Sequence, residues 1–179
     1  MEIKRSWKSK YLKILFVILV VVIVIIGWFC CCRPITTVLI VRHAEKTMEG
    51  ADPPLSSEGF ARAQTLAHVA GEAGVTGIYT SQYLRTQQTA EPLSTQLGIP
   101  IIQVDSANVN SLTNQILSNH NGEVVVVVGH SNTIPLIIEE LGGGLISPIQ
   151  ESEYDNLFVV TVLCFSRTKV LNLKYGNSS

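Results

Sequence analysis

Two histidines and two arginines stand where a chain could gather them around one anion. Arg42 and His43 close the apolar run Val38-Leu39-Ile40-Val41. Arg85 follows a short run ending in Ile78-Tyr79-Thr80, and His130 follows five valines and Gly129. A neutral imidazole nitrogen is a competent nucleophile toward phosphorus. Two guanidiniums grip the oxygens of a phosphoryl group and offset its charge during transfer. The second imidazole, once protonated, donates to the same group. Ser131 and Asn132 open a helix whose free N–H groups would face that anion. This chemistry calls for no metal and no cofactor, and neither a P-loop nor a carboxylate-rich metal site occurs in the sequence. An isolated Arg-His pair is more often a solvated strand end. The threefold recurrence of strand followed by polar residue is what favours the chemical reading.

The elements that must position these groups alternate along the chain. Strands are expected at 38–42, 77–80, 99–104 and 123–129, with a closing pair at 157–165 and 169–174 around a turn centred on Arg167. Helices are expected from Ser56 or Ser57 to 73, at 82–97 with Ser81 as cap, at 111–118 and at 133–141. In the first of these, Phe60, Ala63, Ala67 and Ala70 form the apolar face, with Gly74 closing it. Alternating strands and helices predict an α/β sandwich with a mainly parallel sheet. The last two strands, joined by a short turn, must be antiparallel to each other. Parallel neighbours would bring the ends of the first, second and fourth strands to one edge, where ligands bind in open α/β sheets.

Ahead of this domain, residues 14–32 run for nineteen positions without a charge, ending in Cys30-Cys31-Cys32. At about 1.5 Å per residue such a helix spans a bilayer core of about 30 Å. Lys4, Arg5, Lys8, Lys10 and Lys13 precede it, so residues 1–13 are expected in the cytoplasm and the domain of 34–179 on the far side, a single-pass membrane protein. Trp28 and Phe29 stand where a signal-peptide cleavage site needs small residues, which favours an uncleaved anchor. Residues 1–33 hold six basic groups and one acid, a net +5. The remaining seven basic and thirteen acidic groups leave −6, and the whole chain −1. An acidic domain is a poor nucleic-acid partner. The cysteine triplet is apolar filler or an acylation site, Cys164 is a core residue, and no C-x-x-C pair suggests zinc or redox chemistry.

The segments VRHAEK, YTSQYLRTQQTAEPL and VVVVVGHSNT, in this order, resemble the three signature blocks of the histidine phosphatase superfamily, the phosphoglycerate-mutase-like fold. The likeness extends from about Thr36 to the end of the chain. It implies a three-layer sandwich on a mostly parallel six-stranded sheet with one antiparallel strand, preceded here by one transmembrane helix. It implies phosphorylation of His43, with Arg42, Arg85 and His130 completing the phosphate pocket and Ser131 and Asn132 as further binding positions. Two departures matter. Ala44 stands where most members have Gly, and the loop after the third strand, QVDSANVNSLTNQ, lacks the Glu that protonates the leaving oxygen. Asp105 is the carboxylate left to act as general acid, against its alternative as a strand-end turn former. In lacking that Glu the chain looks like the short branch that dephosphorylates phosphohistidine proteins. The expected function is a phosphatase acting on a phosphomonoester or phosphoramidate, its partner a small phosphorylated metabolite or a phosphoprotein. The alternative is a binding module that keeps the phosphate pocket without turnover. Ser131 and Asn132 serve equally as helix caps, Glu45 is expected to pair with Arg or Lys, Tyr154 lies at a turn near the pocket edge, and Glu151 and Glu153 are expected to be solvated acids.

Overall fold

The computed structural model of the chain describes residues 3–31, 35–163 and 167–178. It separates into two compact units, Met1–Arg33 and Pro34–Ser179. The first contains one long helix, α1 (Ile3–Cys31). Among the described residues α1 is the single helix long and apolar enough to cross a membrane, over Lys10–Gly27, and every side chain in that window is exposed. A helix apolar on all sides has no face suited to water. The expectations for Cys32, Arg33, Cys164 and the turn leading to Arg167 lie outside the described residues, as do the side chains of Cys30 and Cys31.

The second unit is a six-stranded mixed sheet with helices on both faces. Its elements run β1 (Thr36–Arg42), α2 (Ser57–Ala70), β2 (Val75–Thr80), α3 (Leu84–Leu97), β3 (Ile101–Gln103), α4 (Val109–Asn119), β4 (Val124–Gly129), α5 (Ile134–Glu140), β5 (Asn156–Val162) and β6 (Thr168–Lys174). The strand order is β3-β2-β4-β1-β5-β6. β1, β2, β3 and β4 pair in parallel, β5 runs against β1, and β6 runs against β5.

The continuous valine run of β4 follows from its central place. Val125 and Val127, with Val38 and Ile40 of β1, pack under Ile116 of α4 and Ile134, Ile137 and Ile138 of α5. Val126 and Val128, with Leu39 and Val41, pack under Leu66 and Ala67 of α2 and Ala90 and Leu93 of α3. Alternate residues thus serve two cores, and a strand covered on both faces needs no polar side.

Most elements are shorter or shifted by a few residues relative to the sequence pattern, with β3 reduced to three residues. α2 is capped by Ser56, whose Oγ accepts from Gly59 N–H at 3.2 Å. Its buried face is Ala63, Leu66, Ala67 and Ala70, while Phe60 points outward and is 44% exposed. The reason is Gly59, which lies so close to the Glu45 backbone that a Cβ would fall 2.1 Å from its carbonyl oxygen. The first turn of α2 therefore meets the neighbouring loop through backbone. Ser81 does not cap α3. That helix starts at Leu84, whose N–H donates to Asp52 Oδ2 at 2.9 Å, and Ser81 is engaged elsewhere.

Candidate active site

Register decides where the chemistry gathers. Arg42 at the end of β1 stands opposite Gly129 at the end of β4, and Thr80 of β2 stands opposite Val128. The three strands therefore finish within one residue of each other, and the next residues, His43, Ser81 and His130, emerge at one edge of the sheet. His43 N–H continues the ladder by donating to Gly129 O at 2.9 Å. Arg85, in the first turn of α3, comes in from above. Arg42, His43, Arg85 and His130 line one cleft of about 310 Å³, together with Ser131 and Asn132. The two imidazole centroids are 5.4 Å apart.

Hydrogen bonding assigns a tautomer to each ring. Nδ1 of His43 lies 2.8 Å from Ala44 O. A carbonyl only accepts, so Nδ1 carries the proton and Nε2 keeps its lone pair. Ala44 is itself held, its N–H donating to Thr89 Oγ1 at 2.9 Å. For His130, Nη2 of Arg85 lies 3.4 Å from Nδ1, and a guanidinium only donates. Nδ1 is thus the acceptor, and Nε2–H donates to Ser81 Oγ at 2.8 Å. Ser81 Oγ in turn meets Thr86 Oγ1 at 2.9 Å, which reaches Tyr83 O at 2.7 Å. Both rings are held neutral: burial, followed by the neighbouring guanidiniums, lowers His130 to about 4. Burial is also the main cause that brings His43 down to about 3, opposed by the Ala44 carbonyl and aided by Arg42, His130 and Arg85.

The arginines are mounted differently. Arg42 is 1% exposed, and its Nη1 donates to the carbonyls of Gln150, Glu151 and Glu153 at 3.0, 2.8 and 3.3 Å. Its Nη2 meets Glu151 Oε2 at 2.5 Å, and its guanidinium lies 4.3 Å from the centre of the Tyr154 ring. Arg85 pairs with Asp52 Oδ1 at 3.2 Å and stacks on Tyr83 at 4.4 Å. Behind the nucleophile loop, Arg62 donates to both carboxylate oxygens of Glu45 and to the carbonyls of Tyr175 and Asn177. The expected pairing of Glu45 with a cation is realised there.

Asp105 is placed differently from the rest. It lies outside the cleft lining, beside a small neighbouring cavity, and its Oδ1 accepts from Ala107 N–H at 2.8 Å in a local turn. Glu151, in contrast, is more than a solvated acid. It lines the cleft, with Oε1 accepting from Ser131 Oγ at 2.6 Å. Lys46 and Tyr83 are lining residues that the sequence pattern does not single out.

Residues 38–108 match the family model of the histidine phosphatase superfamily (branch 1). No curated protein matches the sequence. Among solved structures, mycobacterial glucosyl-3-phosphoglycerate phosphatase Rv2419c aligns with TM-score 0.65 and 13% identity, over 79% of this chain and 100% of its own. The protein histidine phosphatase SixA, complexed with tungstate, aligns with TM-score 0.58 and 20% identity, over 77% and 96%. Bacillus stearothermophilus YhfR gives 0.63 and 18%, over 76% and 96%. At these identities the structures speak for the fold, and the matched segment carrying Arg42, His43 and Arg85 speaks for the family. The sequence likeness to the histidine phosphatase superfamily covers residues 38–108, and the likeness in fold to these solved phosphatases extends over 79% of the chain.

Proposed function

We propose that this chain is a membrane-held phosphatase in which Nε2 of His43 takes the phosphoryl group of a phosphomonoester or phosphoramidate. The observation that carries the reading is the Nδ1–Ala44 contact of 2.8 Å, which leaves Nε2 unprotonated in a cleft that also holds two guanidiniums. Arg42 and Arg85 hold the phosphoryl oxygens while Nε2 attacks phosphorus. The bond from phosphorus to the leaving oxygen or nitrogen breaks with its electron pair, and the leaving atom takes up a proton. A water then attacks the phosphorus of phospho-His43, the P–N bond returns its pair to Nε2, and dihydrogen phosphate leaves. As the bound anion offsets the guanidinium charge, His130 Nδ1 gains a proton and donates to the phosphoryl group. Ser131 and Asn132 serve the same anion from the turn between β4 and α5.

Asp105 would act as proton donor through Oδ2, after its turn reorients toward the cleft. A carboxylate so placed favours substrates whose leaving atom departs readily, such as phosphohistidine or an aryl phosphate. SixA is a protein histidine phosphatase and Rv2419c acts on a glucosyl phosphoglycerate. A phosphoprotein and a small phosphorylated metabolite are the corresponding substrate classes here. The basic residues 1–13 favour a cytoplasmic N-terminus, an anchor over 14–32 and the phosphatase domain of 34–179 on the opposite side.

The test is hydrolysis of a phosphate-labelled aryl phosphate by the wild type and His43→Ala, with an alkaline denaturing quench to trap an acid-labile, base-stable phosphoenzyme. The wild type is expected to turn over and carry label on His43. Equal rates in the two proteins would reject the reading. Extraction of the full chain from membranes by alkaline carbonate would reject the anchor.

A further inference from the structure

The cleft already contains an anion of its own. Glu151 lies in the irregular stretch between α5 and β5, and its carboxylate bridges two groups that face the cleft. Oε2 meets Arg42 Nη2 at 2.5 Å and Oε1 meets Ser131 Oγ at 2.6 Å. The side chain is 78% exposed, and among the described residues these are the two contacts that fix it. The Ser131 hydroxyl, followed by the Arg42 guanidinium, holds the carboxyl below its usual range. It is therefore an anion in neutral solution.

A positioning role for this carboxylate is not needed. Arg42 is buried and oriented through Nη1, which three backbone carbonyls of residues 150, 151 and 153 already hold. Nε is buried without a hydrogen-bond partner among the described residues, and Nη2 is the nitrogen that the carboxylate occupies. A bidentate carboxylate and two oxygens of a phosphoryl group present the same spacing of acceptors to such donors. We propose that Glu151 is a specificity-determining residue, a resident carboxylate that competes with incoming anions for Arg42 Nη2 and Ser131 Oγ. The proposal rests on the cleft being the phosphoryl site. A carboxylate or a weakly held oxyanion gains nothing by displacing it. A phosphoryl group does, because it engages Arg85 and His130 as well. The same competition speeds release of inorganic phosphate after turnover, since Glu151 returns to the donors that the product vacates.

The experiment compares the full-length wild type, Glu151→Gln and Glu151→Asp for equilibrium binding of inorganic phosphate and for turnover of an aryl phosphate. Glu151→Gln is expected to bind phosphate about two- to five-fold more tightly, the range for loss of one exposed charged contact. KM should fall and kcat should not gain, because product leaves more slowly. Glu151→Asp keeps the charge but is too short to bridge both donors, and should tighten phosphate binding by a smaller factor. Unchanged or weaker binding in Glu151→Gln overturns the proposal, as does a lower kcat with unaltered phosphate affinity, the mark of a proton donor. Wild-type affinity in Glu151→Asp, alongside a gain in Glu151→Gln, would overturn the specific contact in favour of a general field effect. If no version binds phosphate, the phosphoryl-site reading falls together with this one. If the wild type binds it and Glu151→Gln binds it equally, only this proposal falls.

Discussion

Arg42 and Arg85 face the same cleft from mounts of different rigidity. Arg42 ends a central strand, is 1% exposed and is held by backbone carbonyls. Its place is set by the sheet and by the chain that crosses over it. Arg85 sits at a helix start with its side chain 16% exposed, and its restraints are one carboxylate, one aromatic ring and a long contact to His130 Nδ1 at 3.4 Å. The first guanidinium is part of the fold and the second is adjustable. A site built this way has one fixed jaw and one that follows the ligand.

The sharpest test of that contrast is to remove each arginine. Arg42→Ala should abolish turnover and also lower stability by about 2–4 kcal/mol, because it removes a buried guanidinium that holds three backbone carbonyls and the Tyr154 face. Denaturant unfolding checks this, and an unchanged midpoint would erase the distinction. Arg85→Ala should lower kcat/KM by about a hundredfold or more while costing about 1 kcal/mol or less in stability.

Acid offers a measurement shared by both mounts. His43 and His130 are buried neutral at about 3 and about 4, against 6.5 in the open chain. Between those values the unfolded chain binds the extra protons, so stability is full above pH 6.5 and declines as pH falls toward 4. In His130→Gln the decline over that window should be shallower, and an identical slope in denaturant midpoint against pH would contradict the burial argument. The smallest effect belongs to Asp52→Asn. The amide oxygen keeps the bond from Leu84 N–H, but Arg85 loses its ionic partner, and KM should shift by about two- to five-fold with the fold intact.

What the sequence shows of this arrangement follows from how each residue reaches the cleft. Arg42, His43 and His130 come directly off strand ends, and a buried parallel strand announces itself as an unbroken apolar run. Arg85 follows because its helix starts just after such a run. Ser81 illustrates the limit. A Ser before a helix carries the signal of a cap, yet His130 Nε2 at 2.8 Å claims its hydroxyl, and a residue 49 positions away is invisible to local pattern. Asp105 shows the converse, a strand-end carboxylate satisfied by its own turn. Glu151 has no pattern at all, since the stretch between α5 and β5 is irregular. Its place is dictated by Arg42, across a separation of 109 residues.

The brace behind the nucleophile has a temporal consequence. Arg62 reaches the Tyr175 carbonyl across 113 residues while gripping Glu45, two positions from His43. During synthesis β1 and α2 emerge long before the segment that ties them down. Until β6 has docked, the loop bearing the imidazole lacks its backing, so a nascent or clipped chain would own every reactive group and still hold the nucleophile slackly. Competence would arrive with the closing strand, late in assembly, rather than with the residues that perform the chemistry.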